Sequence, residues 1–542
     1  MESFDCVVVG AGWYGLGAAK QYHVTHPTDS LVVFDGQSTL GGSWASERIY
    51  PLLKSNNLLG TLEYPDFPMT TARFRVKTDN YIPGEVVYEY LQAYATEFGI
   101  AKHIRSGTKV LSAEHLDGAE GGWVLTTASS TTSGKQKQKL VKARRLIIAT
   151  GITSEAFLPH FRGQETFGGR LFHGKDFQQN RDTLDTAKSA VVFGGHKFAW
   201  DAAYAYATAG VETHMVIRES GHGPCWMSPS YVTPLKKWIE KLANIRFLTW
   251  FSPCIWGNVD GYGGIRNFLH GTTLGRKIVD VFWSVLGGDV LALNKYDAHP
   301  ETAKLKPWLP AMYSGTSFSI LNYDTDFFQL VKDGKIRVHV GDITHLSPGK
   351  VHLSDGVQLR ADVLLANTGW KHVPPIRFLP EGIDRELGLP HAADADPSPS
   401  SDDLACQPDL LAQTDAQILA TFPRLRDEPV WNARYKPLPG TNLPTTADDN
   451  GDGNPNASLT PFMLHRFMVP PSARFLRTRD IAFVGSVANF SNVITAHVQG
   501  LWVAAYFEGR THRKDGVFAE LFSAYGPEDY RGINEEWAAA SA

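Results

Sequence analysis

Cys6-Val7-Val8-Val9-Gly10-Ala11-Gly12-Trp13-Tyr14-Gly15 is an apolar strand that runs into a glycine-rich turn at a helix start. In such a turn Gly10 permits the tight bend, Gly12 lets the backbone approach a pyrophosphate, and Gly15 lets helix and strand pack. The helix N-terminus adds N–H groups and a dipole that favours phosphate. Leu31-Val32-Val33-Phe34-Asp35 reads as the next parallel strand, so the segment opens a doubly wound α/β sheet. Asp35 ends that strand. A carboxylate there accepts ribose hydroxyls and repels a 2′-phosphate, so this site is expected to take FAD or NAD(H) rather than NADP(H).

The pattern restarts at Ala190-Val191-Val192-Phe193, followed by Gly194 and Ala199 at the first and third fingerprint positions. His196 stands at the second, where glycine gives the closest approach. Lys197 begins the following helix, and Arg218 ends the next strand, where Asp35 ends the earlier one. A cation at that place suits a 2′-phosphate, so NADPH is expected here. Each half also carries an apolar strand leading into Thr-Gly, at Ile147 to Gly151 and at Leu364 to Gly369. Two homologous nucleotide domains are expected, the second inserted in the first: residues 1–165, then 166–375 with an insert at about 220–330, then 376–542 with long loops over 391–460. Apolar spacing predicts a helix over Gly84 to Phe98 and another around Ile278 to Leu286. The latter reads as a buried helix, with a substrate wall or a membrane-surface patch as the alternatives. Residues 121–150 read as a β-meander with a polar insert from Ser129 to Lys139, and Val351 to Gly356 as a hairpin.

A chain of 542 residues exceeds one ordinary core. With 43% hydrophobic and 20% charged residues it reads as globular, and a net charge of -4 gives no reason to expect nucleic acid. Cys6, Cys225, Cys254 and Cys406 show no metal or C-x-x-C spacing, which fits a reducing, cytoplasmic setting. No apolar run is long enough to span a membrane. Nothing in the sequence sets an oligomeric state.

Between the fingerprints lie Gly41-Gly42-Ser43-Trp44, Tyr50-Pro51-Leu52-Leu53-Lys54-Ser55-Asn56, and the run Phe167, Gly169, His173, Phe177 in F-x-G-x-x-x-H-x-x-x-F spacing. In this order the motifs resemble class B flavin-dependent monooxygenases, close to the flavin-containing monooxygenases and most like their fungal members from secondary-metabolite pathways. The resemblance covers essentially the whole chain, most weakly 220–330 and 391–460. It implies FAD on the first fingerprint (Gly10, Gly12, Gly15, Asp35, Gly42, Trp44) and NADPH on the second (Gly194, Lys197, Arg218). It implies an interdomain linker at Phe167–Phe177 and a C-terminal helix near the flavin bearing Gln499. The implied reaction forms a C4a-(hydro)peroxyflavin from O2 and inserts one oxygen atom into a small organic molecule. The run departs from the family in having Gly174 after its histidine.

Asn56 is the candidate catalytic residue. Baeyer–Villiger relatives typically carry Asp five residues after the Tyr-Pro proline; here that place is Asn56, as in the flavin-containing branch. An Asn donates a hydrogen bond without adding charge, although it also caps turns. Baeyer–Villiger oxidation or epoxidation on the same fold, and an NADPH oxidase or flavin reductase without oxygen transfer, stay open as alternatives. A non-catalytic nucleotide sensor is the least economical reading. Asp448 to Gly453 begins like a calcium loop, but Leu459 stands at the twelfth position and Pro455 interrupts it. The basic run Lys135 to Arg145 reads as the coat of a hairpin, with contact to an anionic membrane as the alternative.

Overall fold

The computed structural model describes residues 1–509 except 117, 119–120, 131–135, 233–235, 244, 254–260, 315–318, 372, 392–407, 427–429, 439–459, 461 and 488–490. Two sheets organise it. In the first, strand Glu2–Val9 pairs in parallel with Leu31–Phe34 on one side and with the long strand Gln136–Ile148 on the other. Leu31–Phe34 pairs in turn with Ile104–Arg105. The buried run Cys6 to Val9 reflects coverage on both faces, as a central parallel strand requires.

Gln136–Ile148 changes partners along its length. Up to Ala143 it pairs antiparallel with Trp123–Ser130; from Leu146 it pairs in parallel with Ile481–Phe483. Trp123–Ser130 pairs onward with Thr108–His115, whose other edge takes Arg377–Leu379. The polar stretch expected as an insert between strands is therefore largely strand. Lys137, Lys139 and Leu140 are solvent-exposed, so this end of the strand needs no apolar alternation. Helix Trp13–Thr25 packs along helix Asn492–Phe507 so closely that a Cβ on Gly17 would lie 2.9 Å from the Ala496 carbonyl oxygen.

The second sheet has five strands, ordered Arg170–His173, Val363–Ala366, Ser189–Phe193, Glu212–Ile217 and Ile336–Val340, all parallel. Helix Lys197–Thr208 follows the third in that list, and the antiparallel strands Ile343–Ser347, Lys350–Leu353 and Gln358–Arg360 form a side layer that includes the predicted hairpin. The chain enters this domain after Gly151 and leaves it after Gly369. The two crossings run side by side, because Glu155–Ala156 pairs antiparallel with Trp370–Lys371. The second α/β fold is thus inserted in the first.

Helix Gly84–Glu97 matches the expected helix. Helix Thr273–Asn294 buries only one stripe, Val279, Trp283, Gly287 and Val290, and leaves Leu274, Ile278, Val281 and Val285 in solvent. The expectation of a wholly buried helix is corrected to a half-buried one. Within the loops expected over 391–460, Pro408–Thr421 is a helix that buries Thr414 and Ile418; the Pro- and Asp-rich flanks masked its spacing. The calcium-like Asp448 to Leu459 segment, Cys254, Cys406 and Lys135 lie outside the described residues. Among the described residues no helix is long and apolar enough to cross a membrane, and no cluster of metal-binding side chains occurs.

Burial holds the imidazoles of His173, His270 and His339 down to about 4. In an unfolded chain they titrate near 6.5, so between these values the unfolded state binds more protons. Stability from these groups is complete above pH 6.5 and is lost as pH falls towards 4. Thermal melts in a pH series are expected to show Tm falling between pH 6.5 and 5, where carboxylates are still mostly ionised; a flat profile there would contradict the burial.

Candidate functional site

The C-terminal edge of the first parallel sheet opens into a cleft of about 850 Å³. Gly10, Gly12, Asp35, Gly42, Trp44 and Asn56 line it, and Lys175 and Asp176 reach it from the second domain. The wall therefore gathers turns distant in sequence, at the place where open α/β sheets bind ligands.

The glycines of the turn do different work. Gly10 has φ +111°, and a Cβ there would overlap the Ala149 carbonyl oxygen; one on Gly15 would overlap the Gly10 carbonyl. Both are dictated by the protein's own packing. A Cβ on Gly12 meets nothing closer than the Gly42 Cα at 3.4 Å, an ordinary contact. The fold alone does not require glycine at 12, whereas a pyrophosphate lying against that backbone does. Asp35 is buried, and its carboxylate accepts the Ala11 N–H at 2.6 Å and the Gln37 N–H at 2.8 Å. Burial pushes its carboxyl up against the pull of those two donors. Further acceptor capacity on the two oxygens is left for ribose hydroxyls. The cradle thus fits a flavin dinucleotide in shape and donor chemistry.

Two cations in the wall were not singled out in the sequence. Arg48 donates to the Thr153 carbonyl at 3.1 Å and stacks 5.2 Å from the Trp370 ring centroid. Desolvation draws its guanidinium down to about 10, which leaves it charged at neutral pH. Lys175 donates to the Ser154 carbonyl at 2.5 Å. Each sits in a single turn of 3-10 helix, Ser46–Arg48 and Gly174–Asp176, and only the fold brings them together.

Asn56 and Asn57 both border the cleft, on strand Lys54–Leu58, but their amides differ. Asn57 Nδ2 donates to Glu240. Asn56 is exposed and makes no side-chain hydrogen bond among the described residues, so its amide faces the open cleft. Gln499 does not line the cleft. It is fully buried and accepts the Gly485 N–H at 2.9 Å, and Gly485 is the residue in the wall. The side chain thus supports that loop through Oε1, while its Nε2 is buried with no partner among the described residues.

The second fingerprint lies apart; none of Gly194, Lys197 and Arg218 lines this cleft. Gly194 has φ +144° and packs against Asn367, whose Nδ2 is buried without a partner among the described residues. That orphaned amide leaves a donor for a ligand at this turn. His196 precedes the helix as its N-cap; desolvation and nearby His222 push its imidazole down. Lys197 does not face the turn. Its Nζ pairs with Asp201 and donates to Asn322 Oδ1 at 2.7 Å, so the expected phosphate contact is corrected to an internal network. Arg218 stands at the end of Glu212–Ile217 as expected and donates to the Lys436 carbonyl at 2.8 Å. Asn432 anchors that segment by donating to the Glu219 and Gly221 carbonyls at 2.8 Å. Tyr435 and Lys436 thereby join Arg218 from a stretch that read as surface loop.

The Phe167–Phe177 run is more than a tether. Arg170–His173 is the edge strand of the second sheet, and a Cβ on Gly169 would sit 2.7 Å from the Asp362 carbonyl. Phe177 is buried and stacks on Tyr50 at 5.9 Å, which joins the run to the first domain. His173 Nδ1 accepts the Lys175 N–H at 3.0 Å, so in its neutral form the proton sits on Nε2.

Two α/β folds, the second inserted in the first and the first shaped to take a dinucleotide, define a two-domain flavoprotein oxidoreductase. The family model described as flavin-binding monooxygenase-like matches residues 5–221. A FAD-dependent monooxygenase of Pyrenophora dematioidea is 32% identical, over 94% of this chain and 89% of that protein. The FAD-dependent monooxygenase rstn6 of Aspergillus nomiae is 28% identical over 99% of this chain and 98% of its own length. In structure, the chain is similar to cyclohexanone monooxygenase from Rhodococcus sp. Phi1 bound to NADP+, with TM-score 0.57 and 16% identity over 100% of this chain and 98% of that one. The chain belongs to the flavin-binding monooxygenase-like family.

The two glycines give a direct test of the cradle. Gly12→Ala is expected to fold with the Tm of the flavin-free wild type but to retain little FAD after gel filtration, whereas Gly10→Ala is expected to lose the folded state. Full flavin content in folded Gly12→Ala would remove the pyrophosphate from that turn.

Proposed function

We propose that the protein oxidises NADPH, holds FAD in the large cleft, and transfers one atom of O2 to a small organic substrate of secondary-metabolite type. The reaction balances as substrate, O2, NADPH and a proton giving oxygenated substrate, NADP+ and water. The observation that carries this reading is the contrast between equivalent strand ends: Asp35 beside the intact fingerprint, Arg218 beside the degraded one. The carboxylate suits ribose hydroxyls, and the guanidinium suits a 2′-phosphate. The NADP+ in the cyclohexanone monooxygenase structure supports a nicotinamide donor in this fold.

Bound FAD supplies the activation of O2, which protein side chains do not provide. The chain's own residues hold and shield it. Gly10, Gly12 and the helix Trp13–Thr25 take the pyrophosphate, Asp35 the ribose, and Trp44 flanks the cleft. Asn56 presents an uncharged amide to the reacting region, which stabilises developing negative charge without admitting a titrating group.

The test is a purified yellow protein assayed with NADPH and the precursor that accumulates when the gene is removed. Product formation equal to NADPH consumed is expected; NADPH recovered wholly as H2O2 would replace the reading by an oxidase. Arg218→Ala is expected to lower kcat/KM for NADPH roughly tenfold, the size of one lost charged hydrogen bond, and to leave NADH unchanged. Equal losses for both nucleotides would take Arg218 out of the site.

A further inference from the structure

Asn56 lies between two grips, and both come from the 220–330 insert. On its N-terminal side, Asn322 Nδ2 donates to the Lys54 carbonyl at 3.1 Å and the Ser55 carbonyl at 2.9 Å. On its C-terminal side, Glu240 binds three successive groups: Asn57 Nδ2, the Leu58 N–H at 3.2 Å and Thr61 Oγ1 at 3.2 Å. Trp238 Nε1 donates to the same carboxylate at 2.8 Å. Glu240 is buried, at 5% exposure, on the short helix Ile239–Ala243. A buried carboxylate is costly unless its oxygens are well supplied with donors, and here a side-chain amide, a backbone N–H, a hydroxyl and an indole supply them.

Three of the groups that Glu240 holds, on Asn57, Leu58 and Thr61, lie at the end of strand Lys54–Leu58 and in the turn that follows it. They are the residues that follow Asn56, and none is itself a reacting group. Removing the carboxylate would take one shared acceptor from Asn57, Leu58 and Thr61, leaving the bonds among themselves, Asn57 Nδ2 to Thr61 Oγ1 at 3.4 Å and Thr61 Oγ1 to the Leu58 carbonyl at 3.2 Å. This bond engages the Asn57 amide, while the Asn56 amide, one residue earlier on the same cleft wall, makes no side-chain hydrogen bond among the described residues.

We propose that Glu240 is a positioning residue: by gripping Asn57, Leu58 and Thr61 from the insert, it fixes the neighbouring Asn56 amide at the wall of the flavin cleft. This rests on the reading of Asn56 given above. The insert, which lies beyond the residues that the family model matches, thereby sets the geometry of Asn56. Burial holds the Glu240 carboxyl up at about 7 despite its donors, so the contact is a hydrogen-bonded latch rather than a strong ion pair.

The test uses full-length protein and two readouts. Hydrogen exchange followed by mass spectrometry on Glu240→Gln is expected to show faster exchange over residues 54–62 and unchanged exchange in the Gly10–Gly15 turn. With NADPH and O2 as the only reactants, H2O2 release per bound flavin is expected to rise severalfold in Glu240→Gln, as in Asn56→Ala, with the double variant no worse than either single one. Thr61→Val, which removes one partner from the other side, is expected to move both readouts in the same direction and serves if Glu240→Gln does not fold. A general loss of flavin content or exchange rising throughout the protein would make Glu240 merely structural and overturn the proposal. So would faster exchange at 54–62 with wild-type H2O2 release while Asn56→Ala raises it. If Asn56→Ala itself leaves H2O2 release unchanged, the reading of Asn56 fails instead, and with it the link to Glu240.

Discussion

The strand Gln136–Ile148 is the constraint on which the rest depends. Its first part closes an antiparallel meander, and its last part sits between Glu2–Val9 and Ile481–Phe483 in parallel pairing. Parallel pairing demands that the residues from Cys6 to Val9 and from Leu146 to Ile148 be apolar on both faces, and they are. The residue that follows this strand is Ala149, whose carbonyl leaves no room for a Cβ on Gly10. Sheet closure and the shape of the dinucleotide turn are therefore one packing problem.

From that strand the chain passes Thr150-Gly151 into the second domain and later returns through Thr368-Gly369. The two crossings pair with one another at Glu155–Ala156 and Trp370–Lys371. A second tie is polar: Tyr50 donates to Asp201 at 2.8 Å, and Lys197 and Asn322 join Asp201 to the backbone of Lys54 and Ser55. The charge of Lys197 is thus spent on holding the domains in register. Arg218, at a strand end that stays half open, keeps its place beside the turn, joined there by Lys436.

The two fingerprints differ in how much of their glycine content the protein itself requires. At Gly10 and Gly15 backbone would overlap any side chain; at Gly12 only a ligand would. In the second turn the Gly223 carbonyl already lies 2.7 Å from where a Cβ on Gly195 would be, because the start of the insert crosses over it. The intact motif and the degraded one therefore face different surroundings, and His196 sits where the crossing segment narrows the approach.

Local sequence was enough for what short-range geometry dictates. Strand–glycine–helix order, the acid or base at the following strand end, and the doubled apolar strand with Thr-Gly all depend on neighbours within about thirty residues, and each was legible. The choice of Asn56 over Asn57 was legible only as spacing from Pro51; that their amides face different ways follows from Glu240, some 180 residues later. Tertiary structure alone decided that Lys197 turns inward, that Gln499 lies behind Gly485, that Arg48 and Lys175 share the wall, and that Asn432 to Lys436 reaches Arg218. These are meetings of side chains from distant segments. Periodicity and motif spacing encode what an element is, whereas the burial and partners of a polar side chain are fixed only when the elements pack.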